Sequence, residues 1–215
     1  MKKNISFHYH LLDKDREKVF LGLKFFRKEA NLAGGTALCL QIGHRLSFDF
    51  DVFFQRELGR KDLRKLRRIF NIKEVKYNTS EHIKVVTFEN VAIDLVYYPY
   101  RPLFRRIPTI SLPLFSIKDI ALDKAETIGR RALWRDYVDL FFLLKKEYIS
   151  LEQIIKLAEK KFGVEFNPRL FLQQLIYFKD LQISNISWVE EKYSPYQIQN
   201  FLKKQVKDFR KRNII

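Results

Sequence analysis

Ser47-Phe48-Asp49-Phe50-Asp51-Val52-Phe53-Phe54 alternates polar and apolar side chains with period two, and the reading of this octet decides the fold. Alternation of that kind marks a strand with one buried face. Residues i and i+2 of a strand share a face, so Asp49 and Asp51 would present two carboxylates together. Two like charges on one side of an aromatic-rich strand repel and resist burial. Either that face is solvated, or a divalent cation sits between the acids. Phe48, Phe50, Val52 and Phe53 suggest a strand buried on at least one side, which counts against the solvated reading without settling it. Mg²⁺, with Mn²⁺ as its substitute, is a hard ion that takes one or two carboxylates plus phosphate oxygens.

Upstream of the octet, Leu32-Ala33 is a short apolar step broken by Gly34-Gly35. Thr36 to Ile42 reads as a brief helix closed by Gly43. Two glycines between a strand and a helix permit close backbone approach to a ligand, and the free N–H groups that follow, with the Thr36 hydroxyl, suit a phosphate. A plain tight turn is the competing reading. Still earlier, Val19, Phe20, Leu23 and Phe26 recur at helical spacing, which predicts one amphipathic helix from Asp13 to about Ala30.

Downstream, Asp62 to Phe70 is a strongly basic helix. Lys73 to Tyr77, Ile83 to Phe88 and Val91 to Tyr98 are β-rich runs expected side by side in one sheet. Asp94 is a single acid in the apolar run Val91–Val96, costly there unless paired, hydrogen-bonded or metal-bound. A third carboxylate beside Asp49 and Asp51 would complete a metal cluster. Beyond Tyr98-Pro99-Tyr100-Arg101-Pro102 the pattern turns helical: Ile117 to about Gly129, Trp134 to Lys146, then starts at Ser150-Leu151-Glu152-Gln153, Asn167-Pro168 and Ser194-Pro195. The expected class is α+β, a mixed sheet with flanking helices in residues 1–115 followed by a helical half in 116–215 packed against it.

Composition narrows the function. The 215 residues carry 41 Lys and Arg against 25 Asp and Glu, a formal charge of +16, which points to a polyanionic partner. With 47% hydrophobic residues the chain can bury a core, and a single cysteine excludes an intrachain disulfide framework or a Cys-rich zinc site. Cys39 itself lies among apolar neighbours and reads as packing. No apolar run approaches the roughly 20 residues of a membrane span, and the start Met1-Lys2-Lys3-Asn4-Ile5-Ser6 lacks the apolar core of a secretory signal, so the expectation is a cytoplasmic protein with no membrane partner. His8 and His10 form an H-x-H without further ligands nearby.

The order Gly-Gly, Asp-x-Asp, then a lone Asp on a later strand resembles the nucleotidyltransferase superfamily that includes DNA polymerase beta. Leu32-Ala33-Gly34-Gly35-Thr36-Ala37-Leu38 and Gly43-His44-Arg45-Leu46-Ser47-Phe48-Asp49-Phe50-Asp51 resemble the AbiEii/AbiGii toxin nucleotidyltransferases in particular. So do Ile117-Lys118-Asp119-Ile120-Ala121-Leu122-Asp123-Lys124-Ala125 and Arg135-Asp136-Tyr137-Val138-Asp139-Leu140. The resemblance implies that Gly34, Gly35 and Thr36 cradle a triphosphate, and that Ser47, Asp49 and Asp51 form the Ser-x-Asp-x-Asp motif whose acids bind metal. It gives Asp94 the role of third acid, as base or metal ligand. Lys124 would steady the triphosphate, and Asp136 would be needed for activity. Asp123 stands where relatives carry an apolar residue and is a candidate partner for Lys124. Arg45 reads as a phosphate contact, an orienting group for Asp51 or a structural ion pair, and Asp139 as the structural partner of an arginine.

The implied activity is metal-dependent transfer of a nucleoside monophosphate from an NTP to an acceptor hydroxyl, with a tRNA 3′ end as acceptor. The family context implies the toxin of a toxin–antitoxin or phage-defence system, with an acidic antitoxin as a protein partner. A nucleic-acid-binding module without catalysis and a transferase acting on a protein or an antibiotic are the alternatives. Arg60–Arg68, Arg101–Arg106 and Lys203–Arg212 are three basic stretches suited to RNA phosphates, with the 60–68 helix expected to lead. Tyr97, Tyr98, Tyr100 and Phe104 either stack on unpaired bases or pack at the sheet edge.

Overall fold

The computed structural model describes residues 7–131, 133–189 and 191–213, so the Met1–Ser6 opening lies outside the described residues. The chain divides into two compact units, one ending at Ser116 and the other beginning at Ile117.

In the N-terminal unit, α1 (Lys14–Gly22) leads to a 3₁₀ turn over Leu23–Phe26, and Asp13 caps α1 by accepting from the Arg16 N–H. The single long helix expected to reach Ala30 is therefore cut short. Ala30–Ala33 instead forms β1, paired antiparallel with β2 (Phe50–Phe54) in the register Ala30↔Phe54 to Ala33↔Asp51. Helical spacing survives through the turn, because Leu23 and Phe26 are still buried and Phe26 meets the Phe54 ring edge-on at 5.8 Å. Sheet pairing wins at the residues that follow.

Between β1 and β2 lies α2 (Gly34–Ile42), buried on nearly every side and closed by Gly43 at φ 61°. The basic α3 (Arg60–Ile69) precedes β3 (Ile72–Asn78), β4 (His82–Thr87) and β5 (Ala92–Tyr97). The five strands form one mixed sheet in the order β1-β2-β5-β4-β3, with β2 and β5 parallel and the other neighbours antiparallel. Register separates the two faces. Phe50, Val52, Phe54, Ile83, Val85, Ile93 and Leu95 are buried on one face, where Phe20 stacks on Phe50 at 6.3 Å. The opposite face carries a row in which Ala33, Asp51, Asp94, Lys84 and Tyr77 are successive partners across β1, β2, β5, β4 and β3.

One further expectation resolves here for Tyr98. Tyr98 stacks on Phe53 at 4.5 Å and meets Phe115 edge-on at 5.8 Å, which is packing beside the sheet. Near α3, Lys65 donates to Glu29 at 2.6 Å, and Arg56 bridges Glu29 and the buried Asp62 at 2.6 and 2.7 Å. Burial raises the Asp62 carboxyl, but the Arg56 guanidinium and the Gly59 N–H outweigh it and hold the group below its ordinary range.

The C-terminal unit is helical: α4 (Ile117–Arg130), α5 (Trp134–Lys145), α6 (Leu151–Phe162), α7 (Pro168–Gln174) and α8 (Pro195–Asn213). Reciprocal Ser–Gln bonds cap α6 and α8, through Ser150 with Gln153 and Ser194 with Gln197. Asn167 caps α7, with Pro168 at its first position. Two buried ion networks tie the helices together. Lys161 lies 3.3 Å from Asp119 and 2.7 Å from Asp123, while Lys124 lies 2.5 Å from Asp136 and 2.8 Å from Asp139.

Candidate active site

Gly34 opens α2 at φ 64°, a conformation that glycine alone adopts freely. A Cβ placed there would sit 1.9 Å from the Asp51 carboxylate oxygen. At Gly35 it would sit 2.7 Å from the Ser47 hydroxyl and 3.0 Å from the Arg45 guanidinium. The two glycines are thus the gap through which the first turn of α2 approaches Asp51, Ser47 and Arg45. Ala33, the residue before the helix, offers no side-chain cap, so the opening N–H groups of α2 carry no competing side-chain oxygen from that position.

Asp49 departs from the expectation in one respect. β2 begins at Phe50, so the strand rule does not by itself align Asp49 with Asp51. The main-chain oxygens ahead of the strand are taken by side chains: Arg16 Nη1 donates to Ser47 O at 2.6 Å and Thr36 Oγ1 to Asp49 O at 2.5 Å. The Thr36 proton, expected to face a phosphate, is therefore used to fix the backbone of Asp49. Arg16 is buried, braced by Asp13 at 2.9 Å and seated over the Phe48 ring. No motif marked it, because its partner lies 31 residues away.

Asp94 is opposite Asp51 in the β2–β5 register and opposite Lys84 in the β4–β5 register. Its Oδ1 lies 2.6 Å from His82 Nε2, and its Oδ2 accepts from Lys84 Nζ at 2.9 Å. His82 in turn stacks on Tyr77 at 5.1 Å. Burial lowers the Lys84 pKa, but the Asp94 hydrogen bond and the charges of Asp94, Asp49 and Asp51 outweigh it and raise the group above its ordinary value. Lys84 is therefore paired with Asp94 and lies in the field of Asp49 and Asp51 as well. Among the described residues no group of three His, Cys, Asp or Glu side chains is arranged to hold a metal. Asp51, half-buried beside the glycine gap, and the half-buried Asp49 are carboxylates that could hold a divalent ion, and two carboxylates plus phosphate oxygens suffice for Mg²⁺.

Lys124 and Asp136 belong to the C-terminal unit, where Lys124 is buried between Asp136 on the first turn of α5 and Asp139 one turn on. Asp139 thus faces a lysine, not the arginine expected. Asp123 is drawn to Lys161 instead of Lys124. Asp136 Oδ2 is buried without a hydrogen-bond partner among the described residues. The Tyr137 hydroxyl donates to Gln174 O at 2.9 Å, and burial, helped by the Asp136 charge, pushes its pKa up to about 12.

Residues 67–211 match the family described as nucleotidyl transferase AbiEii toxin, type IV toxin–antitoxin system, which is well over half of the chain. The chain belongs to the AbiEii nucleotidyltransferase toxin family. It is 31% identical over 184 residues to an uncharacterized protein of Aquifex aeolicus, covering 83% of this chain and 86% of that one. Among solved structures, MenT4, a nucleotidyltransferase toxin from Mycobacterium tuberculosis, has a similar fold, with TM-score 0.59, 17% identity and 93% and 86% of the two chains covered. JHP933 from Helicobacter pylori is similar at TM-score 0.56 and 17% identity, over 94% of each chain. The AbiEii match takes in Asp94, Lys124 and Asp136, while Gly34, Gly35, Asp49 and Asp51 lie ahead of its first residue.

For this AbiEii nucleotidyltransferase the glycine gap and Lys84 give two tests. Gly34→Ala adds a methyl in the left-handed region, worth about 1–2 kcal/mol of strain, and drives it into Asp51. The expected result is a lower melting temperature together with loss of NTP use. A variant that melts lower yet keeps NTP kinetics would separate the glycine from the site. Lys84→Met removes a cation that competes with a metal ion for the field of the three acids, so Mn²⁺ should bind roughly tenfold tighter without nucleotide in a paramagnetic-resonance titration, a gain of about 1.4 kcal/mol. Weaker Mn²⁺ binding would mean that Lys84 holds the acids in their binding geometry.

Proposed function

We propose that this transferase moves a nucleoside monophosphate from an NTP to the 3′-terminal hydroxyl of an RNA, with tRNA as the acceptor, in a metal-dependent reaction. The observation that carries the proposal is the seating of Gly34 and Gly35 directly against Asp51, Ser47 and Arg45. Phosphoryl-type transfer needs charge neutralisation and in-line placement more than covalent help from the protein. The first N–H groups of α2 and the Arg45 guanidinium supply donors for the triphosphate, and Asp49 and Asp51 supply carboxylates for Mg²⁺ or Mn²⁺. When bound, the ion would neutralise phosphate charge and lower the pKa of an attacking hydroxyl.

The protein's own part is positioning. Thr36 and Arg16 fix the backbone on either side of Phe48, so Asp49 enters the site from a held loop rather than a mobile one. The family resemblance assigns Asp94, held between His82 and Lys84, as the acid that accepts a proton from the acceptor hydroxyl. The family resemblance assigns Lys124 and Asp136 to the same chemistry, with Lys124 steadying the triphosphate. The family description supports a toxin role, and the charge of +16 supports RNA over a protein or an antibiotic as acceptor.

Purified protein incubated with each α-labelled NTP, Mg²⁺ and a panel of tRNA, bulk protein and aminoglycoside tests the acceptor. Label is expected at the tRNA 3′ end and nowhere else, and chelation should stop its transfer. Label on protein or aminoglycoside, with tRNA untouched, would overturn the RNA reading.

A further inference from the structure

The last helix of the C-terminal unit, α8, divides its residues sharply. Ile198, Leu202, Val206 and Phe209 are buried, so the apolar stripe of the helix is fully used in the core. The exposed side carries Lys203, Lys207, Arg210 and Lys211, which together with Ile176 and Val206 line an open groove of about 300 Å³. Lys203 lies over the Phe178 ring, 5.7 Å from its centroid, and Tyr177 beside Ile176 is exposed. None of these four cations has an acidic partner within ion-pair distance among the described residues. Some other long basic side chains of this unit are engaged: Arg212 with Glu152, Lys146 with Glu191, Arg130 with Glu126 and Glu165.

Lys203, Lys207 and Lys211 recur every fourth residue, a rise of about 6 Å per step. That places three point charges in a line along one groove wall, with Arg210 beside them. Uncompensated cations lining a concave surface focus a positive field and favour a ligand with regularly spaced anions. α3 is the competing surface: Lys65 is spent on Glu29, while Arg64, Arg67 and Arg68 stay exposed. A membrane surface is the poorer match: a helix that lies on lipid needs an exposed apolar face, and that of α8 is buried.

We infer that the α8 groove is the docking surface for the sugar-phosphate backbone of the RNA acceptor, with the aliphatic floor and Tyr177 available to an unpaired base. This rests on the RNA reading above and replaces the 60–68 helix as the principal acceptor surface.

The test is binding of purified tRNA over a salt series, by filter retention, for three proteins of equal melting temperature. These are the wild type, a Lys203→Gln/Lys207→Gln/Arg210→Gln/Lys211→Gln variant, and an Arg64→Gln/Arg67→Gln/Arg68→Gln variant on α3. The α8 variant is expected to lose tRNA affinity by about tenfold or more and to flatten the salt slope by roughly 3 units, with NTP binding unchanged. The α3 variant should stay within about threefold of wild type. Wild-type affinity and slope in the α8 variant would overturn the inference while leaving the RNA reading intact. A larger loss in the α3 variant would also overturn it, in favour of the earlier helix. Failure of the wild type itself to bind tRNA would instead remove the RNA reading and the inference with it. If phosphatidylserine vesicles bind the wild type and not the α8 variant, while tRNA binding is equal in both, the groove is a lipid surface and the inference fails.

Discussion

Asp51→Asn is expected to reduce nucleotide transfer by roughly 1,000-fold or more, since in the proposed site it removes one of two carboxylates for an ion that would be worth several kcal/mol to the transition state. The fold should survive. Asp51 is only half buried, and it is one of three acids whose charges act on Lys84. Neutralising it relieves repulsion from Asp49 and Asp94, so the thermal midpoint in metal-free buffer should hold or rise slightly. Asp49→Asn should behave alike, with the backbone bond from Thr36 still in place because it uses the main-chain oxygen. Transfer at wild-type rates by both variants would remove these acids from the site.

Lys124→Met should be the most destabilising single change in the C-terminal unit. The lysine is buried, and Asp136 and Asp139 are buried beside it at 2.5 and 2.8 Å. Removing the cation leaves two acids facing each other without a counter-charge, and breaking a buried pair of this kind costs about 3–5 kcal/mol. Denaturant unfolding would read the loss directly. Adding Asp139→Asn to Lys124→Met should restore part of it, since the second change removes one uncompensated charge. Full stability in Lys124→Met alone would contradict the network. The same variant probes the triphosphate role, because a lysine already neutralised by two carboxylates has little field left for a phosphate unless substrate redistributes those contacts. If Asp136→Asn abolishes transfer while NTP binding persists, Lys124 serves mainly to position Asp136.

The parts of the fold written in local chemistry were legible in the sequence. Ser150 with Gln153, Asn167 with Pro168, and Ser194 with Gln197 mark helix starts through bonds made within three residues, and all three helices begin there. Gly43 closes α2 in the left-handed conformation that its position required. The strand around Asp51 followed from alternation, and those around Lys84 and Asp94 from β-rich runs between turn residues. What escaped depends on partners distant in sequence. The helix drawn to Ala30 failed because residues 30–33 pair with β2, a choice made by tertiary context against local spacing. Arg16 and Lys84 were missed for the same reason. Arg16 reads as one more basic residue on a helix until it reaches Ser47, and Lys84 as a solvent-facing strand lysine until β5 brings Asp94 beside it. Thr36 was placed correctly at the glycine loop, but its proton goes to the Asp49 backbone, a bond that no spacing rule foretells.

A crystal structure of the protein with Mn²⁺ and a non-hydrolysable NTP analogue would test the central claim most directly. Anomalous density is expected within about 2 Å of carboxylate oxygens from both Asp49 and Asp51, with the triphosphate against the N–H groups of Gly34, Gly35 and Thr36. Mn²⁺ and triphosphate bound together at any other place on the chain, with no contact to Asp49 or Asp51, would contradict it.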